Sequence, residues 1–243
     1  MPKSRSKPKQ RSIRRRDARG RSNDREVFLY PGPIAGPGVV VPSPAEILEA
    51  LSGFRGDAPW SELAPDLLPM FERRRPMPRD TPPSLTVVLP PGVTVGFGID
   101  LGPASVRVSR PLIDGWGITV DELTTTALTN LRKRAFASAL PPVIREPIAG
   151  HPTVAFQSED GWASALLLAV DALEHVMGAE PRLFIAPMRD LLVGLPPDVD
   201  PDLACWLTEE FEALDPNALA LEGFLWRDRN LETLPIRRTA MSA

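Results

Sequence analysis

The sequence predicts an α+β fold: a mixed or antiparallel sheet with three main helices packed on it, preceded by a disordered basic tail. Two observations carry this. Apolar residues recur at helical spacing over Thr119–Phe136, Asp160–Met177 and Pro201–Leu214. Short apolar runs broken by Pro, Gly and Asp fill the stretches 85–109, 183–195 and 222–235, the pattern of strands and hairpins.

The chain has 243 residues, enough for one large or two small domains. The net charge of −3 hides a division. Residues 1–26 hold 11 Lys or Arg against Asp17, Asp24 and Glu26, so this segment carries about +8 and the remainder about −11. Residues 1–26 are too poor in apolar side chains to offset the chain entropy lost on folding, so disorder is expected there. A basic arm can neutralise nucleic-acid phosphates or acidic lipid headgroups. The favoured reading is a solvated tail or a misplaced start, and the lack of aromatic residues argues against base stacking.

Of the 29 prolines, 17 precede residue 104, so irregular chain is expected early. Residues 27–84 read as an extended, proline-rich segment with one short helix over 44–52. Ser43, Pro44 and Glu46 there make a capping box with proline at the first helical position. A further helical piece is expected between Trp60 and Phe71, and the Arg73–Arg75 run reads as solvated surface. The globular domain is set at 85–235, with a frayed end over 236–243.

Within that domain Leu85–Leu89, Val93–Leu101 and Ser105–Ser109 read as strands. Gly96 and Gly98 mark a bulge or a close approach of another group. They are not a dinucleotide fingerprint, because no helix follows. Thr119 and Glu122 form a second capping box, and Val120, Leu123, Ala127, Leu128, Leu131 and Ala135 form the buried stripe. Arg132, Lys133 and Arg134 suit the negative end of that helix. Val143–Pro147 and Thr153–Gln157 suggest a hairpin through Gly150.

The stretch Ser158–Leu195 is the expected centre of the molecule. Asp160 is placed as the cap of a helix that is apolar nearly all round, with Ser164, Asp171 and His175 on one narrow polar face. Gly178 and Pro181 end it. Two strands follow, Leu183–Ala186 and Leu191–Leu195, joined by a turn that displays Arg189 and Asp190 at an exposed junction. Asp200 caps the last helix, whose inner face is read as Leu203, Leu207, Phe211 and Leu214. Two strands around Asp228–Asn230 close the chain.

Three stretches also carry a resemblance: VRVSRPLIDGWGITVDELTTTALTNLRKRA, DGWASALLLAVDALEHVMGAEPRLFIAPMRDLLV and LTEEFEALDPNALALEGFLWRDRNLETLP. In their order, with Gly117-Ile118-Thr119, Asn130-Leu131-Arg132, Asp160-Gly161 and the Pro187…Asp190 pair, residues 95–235 resemble the YtpQ-like family. These are bacterial proteins described as a domain of unknown function. The resemblance implies no assigned catalytic residue.

Chemistry is sparsely signalled. His151 lies in a Gly-His-Pro turn, and His175 ends a helix. Cys205 beside Trp206 reads as a small core residue. One cysteine cannot form an internal disulfide, and with two distant histidines it does not make a zinc site. No cofactor is expected. Lacking an apolar leader or a run of about 18 apolar residues, the chain is expected in the cytoplasm with no membrane span. The candidate ligand-binding residues are Arg189, Asp190, Asp160 and Arg110, with Arg189 able to clamp a carboxylate or phosphate. Two functions follow as expectations: a non-catalytic domain that binds a protein partner, or an enzyme or binding protein for an anionic small molecule. Nucleic acid is a third, through the tail alone.

Overall fold

A computed structural model of the chain describes residues 27–28, 43–72, 84–158, 160–215 and 218–236. The basic tail, the Arg73–Arg75 run and the C-terminal end beyond Ile236 lie outside the described residues, as does most of the extended segment expected over 27–42.

The α+β expectation holds, with two sheets in place of one. The first contains β1 (Val27–Phe28), β2 (Leu67–Phe71), β3 (Thr86–Leu89), β4 (Val93–Asp100) and β5 (Ser105–Arg107). Its long middle strand β4 pairs with β2 along one edge, from Leu67 opposite Ile99 to Phe71 opposite Val95. Strands β3 and β5 share the other edge end to end, and β1 adds to β5. All these pairings are antiparallel. Strand β2 falls in the proline-rich stretch where a helical piece was expected to reach Phe71. The helical part stops earlier, at α2 (Trp60–Leu63) and a 3₁₀ turn (Ala64–Asp66). Pro69 fits because β2 pairs on one side only, so its missing N–H costs the sheet nothing.

Gly96 and Gly98 are places of close approach. A Cβ on Gly96 would collide with the Glu72 carboxylate, and one on Gly98 with the Met70 sulfur. The Glu72 carboxylate thereby reaches Arg107 Nη2 on β5 at 2.8 Å.

The second sheet contains β8 (Val154–Gln157), β9 (Arg182–Met188), β10 (Leu191–Leu195), β11 (Gly223–Arg227) and β12 (Asn230–Leu234), in the order β12-β11-β9-β10-β8, again antiparallel. A small ribbon of β6 (Pro147–Ile148) and β7 (His151–Pro152) precedes it. The β11–β12 turn puts Asp228 and Arg229 at φ of 52° and 59°, the left-handed pair that a tight hairpin requires.

Six α-helices, not three, occur among the described residues: α1 (Pro44–Gly53), α2, α3 (Arg110–Trp116), α4 (Val120–Ala135), α5 (Val170–Met177) and α6 (Pro201–Glu212). Helix α1 has the expected reciprocal Ser43–Glu46 cap. Thr119 caps α4 by accepting from Glu122 N at 3.1 Å. Helix α3 is new. Its signals were Pro111 at the start and Gly117 at φ 68° just past the end, but seven residues are too few to show a periodic stripe. The α4 stripe contains one polar member, Asn130. It is buried because its amide donates to Ala64 O at 2.6 Å and Leu67 O at 3.0 Å, fixing the start of β2 to the helix.

The central segment is buried as expected, from Trp162 to Met177, between the two sheets. Phe71 and Val95 approach it from the first sheet, Phe156, Phe184 and Trp226 from the second, and Leu131 and Ala135 from α4. It is not one helix. A 3₁₀ turn over Ser164–Leu168 gives way at Ala169, which is extended at φ −136°, ψ 91°, before α5 begins. Asp160 is not the cap. Ser158 Oγ accepts from Trp162 N and Ala163 N, both at 2.9 Å, and Ser164 N donates to Arg189 O at 3.0 Å. These contacts hold the chain in a tight, non-α path. The break also changes the phase, so Ser164 is buried while Asp171 and His175 face water.

On the far side of the second sheet α6 covers Leu183, Ile185 and Leu195 with Ala204 and Leu207. Asp200 caps it as expected, accepting from Asp202 N at 2.8 Å. Leu214 lies past the helix and is exposed, not on the inner face.

Candidate functional site

The four residues singled out by sequence occupy three separate settings. Arg189 and Asp190 form the β9–β10 turn, where Met188 pairs with Leu191. The expected exposed junction is in fact interior: each residue is 6% exposed. The physical reason is Ser158 together with Asp160–Ser164, which close over the turn. Ser158 N donates to Asp190 O at 2.9 Å, and Ser164 N donates to Arg189 O. From beneath, Arg189 Nε donates to Phe71 O at 3.2 Å, at the end of β2. The turn therefore clasps the first sheet to the second.

Asp190 accepts from Gln157 Nε2 at 3.3 Å. Burial pushes its carboxyl up to about 6. Hydrogen bonds from Gln157 and from its own backbone N–H act the other way, and the neighbouring Asp215 charge adds to the rise.

Asp160 turns away to α4. Its carboxylate accepts from Arg134 Nη1, while Arg134 Nη2 reaches Asp100 Oδ2 at 2.6 Å. Burial raises the Asp160 pKa, Arg134 opposes that rise, and the Asp100 charge reinforces it. Asp100 also lines an open cleft of about 630 Å³ between the α1–α2 region and the β4–β5 turn, with Arg55, Glu62 and Asp66 on its walls. Arg110 stands apart on α3, in an exposed pair with Asp114 at 3.1 Å.

The sequence alone assigns Arg134 only a favourable charge at a helix end. Its bridge between Asp100 and Asp160 joins residues far apart in the chain, and no local pattern announces such a contact. The same is true of Arg132, which pairs with Asp171 at 3.1 Å. His175 lies against the Phe136 ring, with centroids 4.5 Å apart. Cys205 is buried, with its sulfur 3.5 Å from Glu209 Oε1. Among the described residues no group of three or more His, Cys, Asp or Glu is disposed to hold a metal ion, and no helix is long and apolar enough to cross a membrane.

One surface contrasts with these interior contacts. Trp206 on α6 is 50% exposed. At 100° per residue Asp202, Glu209 and Glu210 fall within about 60° of it on the helix, and all three are exposed. No Lys, Arg or His occurs between Arg189 and Arg227, so every charged residue of this stretch is acidic.

No family model, curated protein or solved structure matches the chain.

Proposed function

We propose that this chain is a non-catalytic interaction domain of the bacterial cytoplasm, related to the YtpQ-like proteins, that engages a protein partner through the outer face of α6. The observation that carries the reading is Trp206, a large rigid side chain left half in water on a well-anchored helix. Tryptophan is the residue most enriched where protein interfaces concentrate their energy. The helix beneath it is held by Leu207 and Ala204 in the second core cluster, so the surface is rigid before binding.

The alternative, an anionic small molecule held by Arg189 and Asp190, has less support. Arg189 is buried and already donates to Phe71 O, and Asp190 beside it repels an anion whenever it is ionised.

The test is affinity capture from the source cytoplasm, with identification by mass spectrometry, using the full chain and its Trp206→Ser variant. A protein recovered repeatedly by the parent and lost with the variant is the expected result. Equal recovery by both would remove α6 from the interface, and no recurrent protein would overturn the reading.

A further inference from the structure

We infer that the outer face of α6 receives the chain's own basic arm, residues 3–22, in the same molecule or from a second copy. The inference rests on the reading of α6 as a docking face and names its occupant.

Charge complementarity is the first argument. The arm holds ten of the eleven basic residues of the first 26, against Asp17 alone up to residue 22. The face it would meet carries Asp202, Glu209 and Glu210 around Trp206, with the exposed Asp198 and Asp200 at the helix start. Guanidinium groups fit this combination in two ways. They hydrogen-bond carboxylates through a planar fork, and they stack on the indole face. Asp or Glu alone would attract any cation; the exposed indole adds the flat apolar surface that favours arginine. The arm has the matching composition, with Arg14, Arg15 and Arg16 consecutive.

Reach is the second argument. The arm leads directly into β1, which is fixed beside β5 at Val27 and Phe28. Twenty-six residues span up to about 90 Å when extended, against a radius of gyration of about 17 Å for a body of this size. The α6 face is therefore within reach of the arm of the same molecule. Attachment also supplies a high effective concentration, so a weak contact suffices.

The experiment is limited trypsin digestion of the full chain, following cleavage within residues 3–22 by mass. It compares the parent, Glu209→Gln/Glu210→Gln and Trp206→Ser. At about 0.01 M salt, where charges act over ~30 Å, both variants should lose the arm about fivefold faster than the parent, equivalent to ~1 kcal/mol of docking. At about 1 M salt, where the range falls to ~3 Å, the parent should match the double variant. Protection independent of protein concentration assigns the contact to one molecule; protection that grows with concentration assigns it to a second copy. Identical cleavage of all three proteins at low salt would overturn the inference. If Trp206-dependent partner capture nonetheless persists, only the arm is excluded as occupant; if capture also fails, the docking reading falls with it. Circular dichroism confirms that the variants fold, which is expected because the altered side chains are exposed.

Discussion

Asp190 and Glu210 are both carboxylates in the basic-free stretch between Arg189 and Arg227, and they live in opposite solvents. Asp190 sits in the clasp that joins the sheets, 6% exposed, with its proton held up to pH about 6. Glu210 stands in water beside Trp206. In the clasp a charge is a cost that the surrounding hydrogen bonds only partly offset. On α6 a charge costs little, and its long-range field is what remains to act on another molecule. A carboxylate thus serves architecture in one place and is free to act on another molecule, as proposed for α6, in the other, and burial decides which.

The largest test of that contrast is Arg189→Met. It keeps most of the volume but removes the donor to Phe71 O, and a buried carbonyl left without its donor costs about 1–3 kcal/mol. Urea unfolding should show this loss; a change below about 0.5 kcal/mol would mean that the two sheets do not depend on the clasp.

Asp190→Asn should act in the opposite direction. The folded pKa of Asp190 lies above its unfolded value of 3.8, so the folded state holds the proton more tightly. Its stabilising contribution is full below pH about 4 and is lost as pH rises through about 6. The neutral, nearly isosteric Asn should therefore gain about 2 kcal/mol over the parent at pH 7.5 and almost nothing at pH 4. Denaturant melts at the two pH values would show it. An equal effect at both would mean that Asp190 is as well solvated as Glu210.

Arg134→Ala probes an intermediate case, since this side chain is 26% exposed. It leaves Asp100 and Asp160 facing each other, and a loss of about 1–2 kcal/mol is expected after discounting for solvent screening. Arg110→Ala, in an exposed pair, should change stability by less than about 0.5 kcal/mol. Trp206→Ser should cost about 1–2 kcal/mol, because half of the residue is buried, and Glu209→Gln/Glu210→Gln about 0.5 kcal/mol or less, because both side chains are exposed. A large thermal shift in either would make α6's outer face structural and end its part in the comparison.

Much of the fold was legible in particular residues. Ser43 with Glu46, Thr119 and Asp200 mark helix starts because a side-chain oxygen must meet free N–H groups within a few residues, and such bonds are local. The β9–β10 and β11–β12 hairpins were legible for the same reason. Strand β2 was not, because Pro65 and Pro69 imitate irregular chain and only its place on the edge of β4 makes Pro69 harmless. The central segment was read correctly as buried and wrongly as one helix. A stretch apolar on every side carries no phase, so Ser158 and Arg189 settled its path from outside. At the site, the sequence singled out the Arg189–Asp190 turn but not its surroundings.

What the chain determined by itself was its set of local instructions: which residues avoid water, where helices begin, where hairpins turn, and the opposition of a basic arm to an acidic body. Tertiary structure alone decided that Arg189 and Asp190 lie inside, that Arg134 bridges Asp100 and Asp160, and that Trp206 is left in water. Each of these depends on which surfaces meet across long separations, and the burial that raises a pKa or hides a guanidinium exists only once those surfaces have closed.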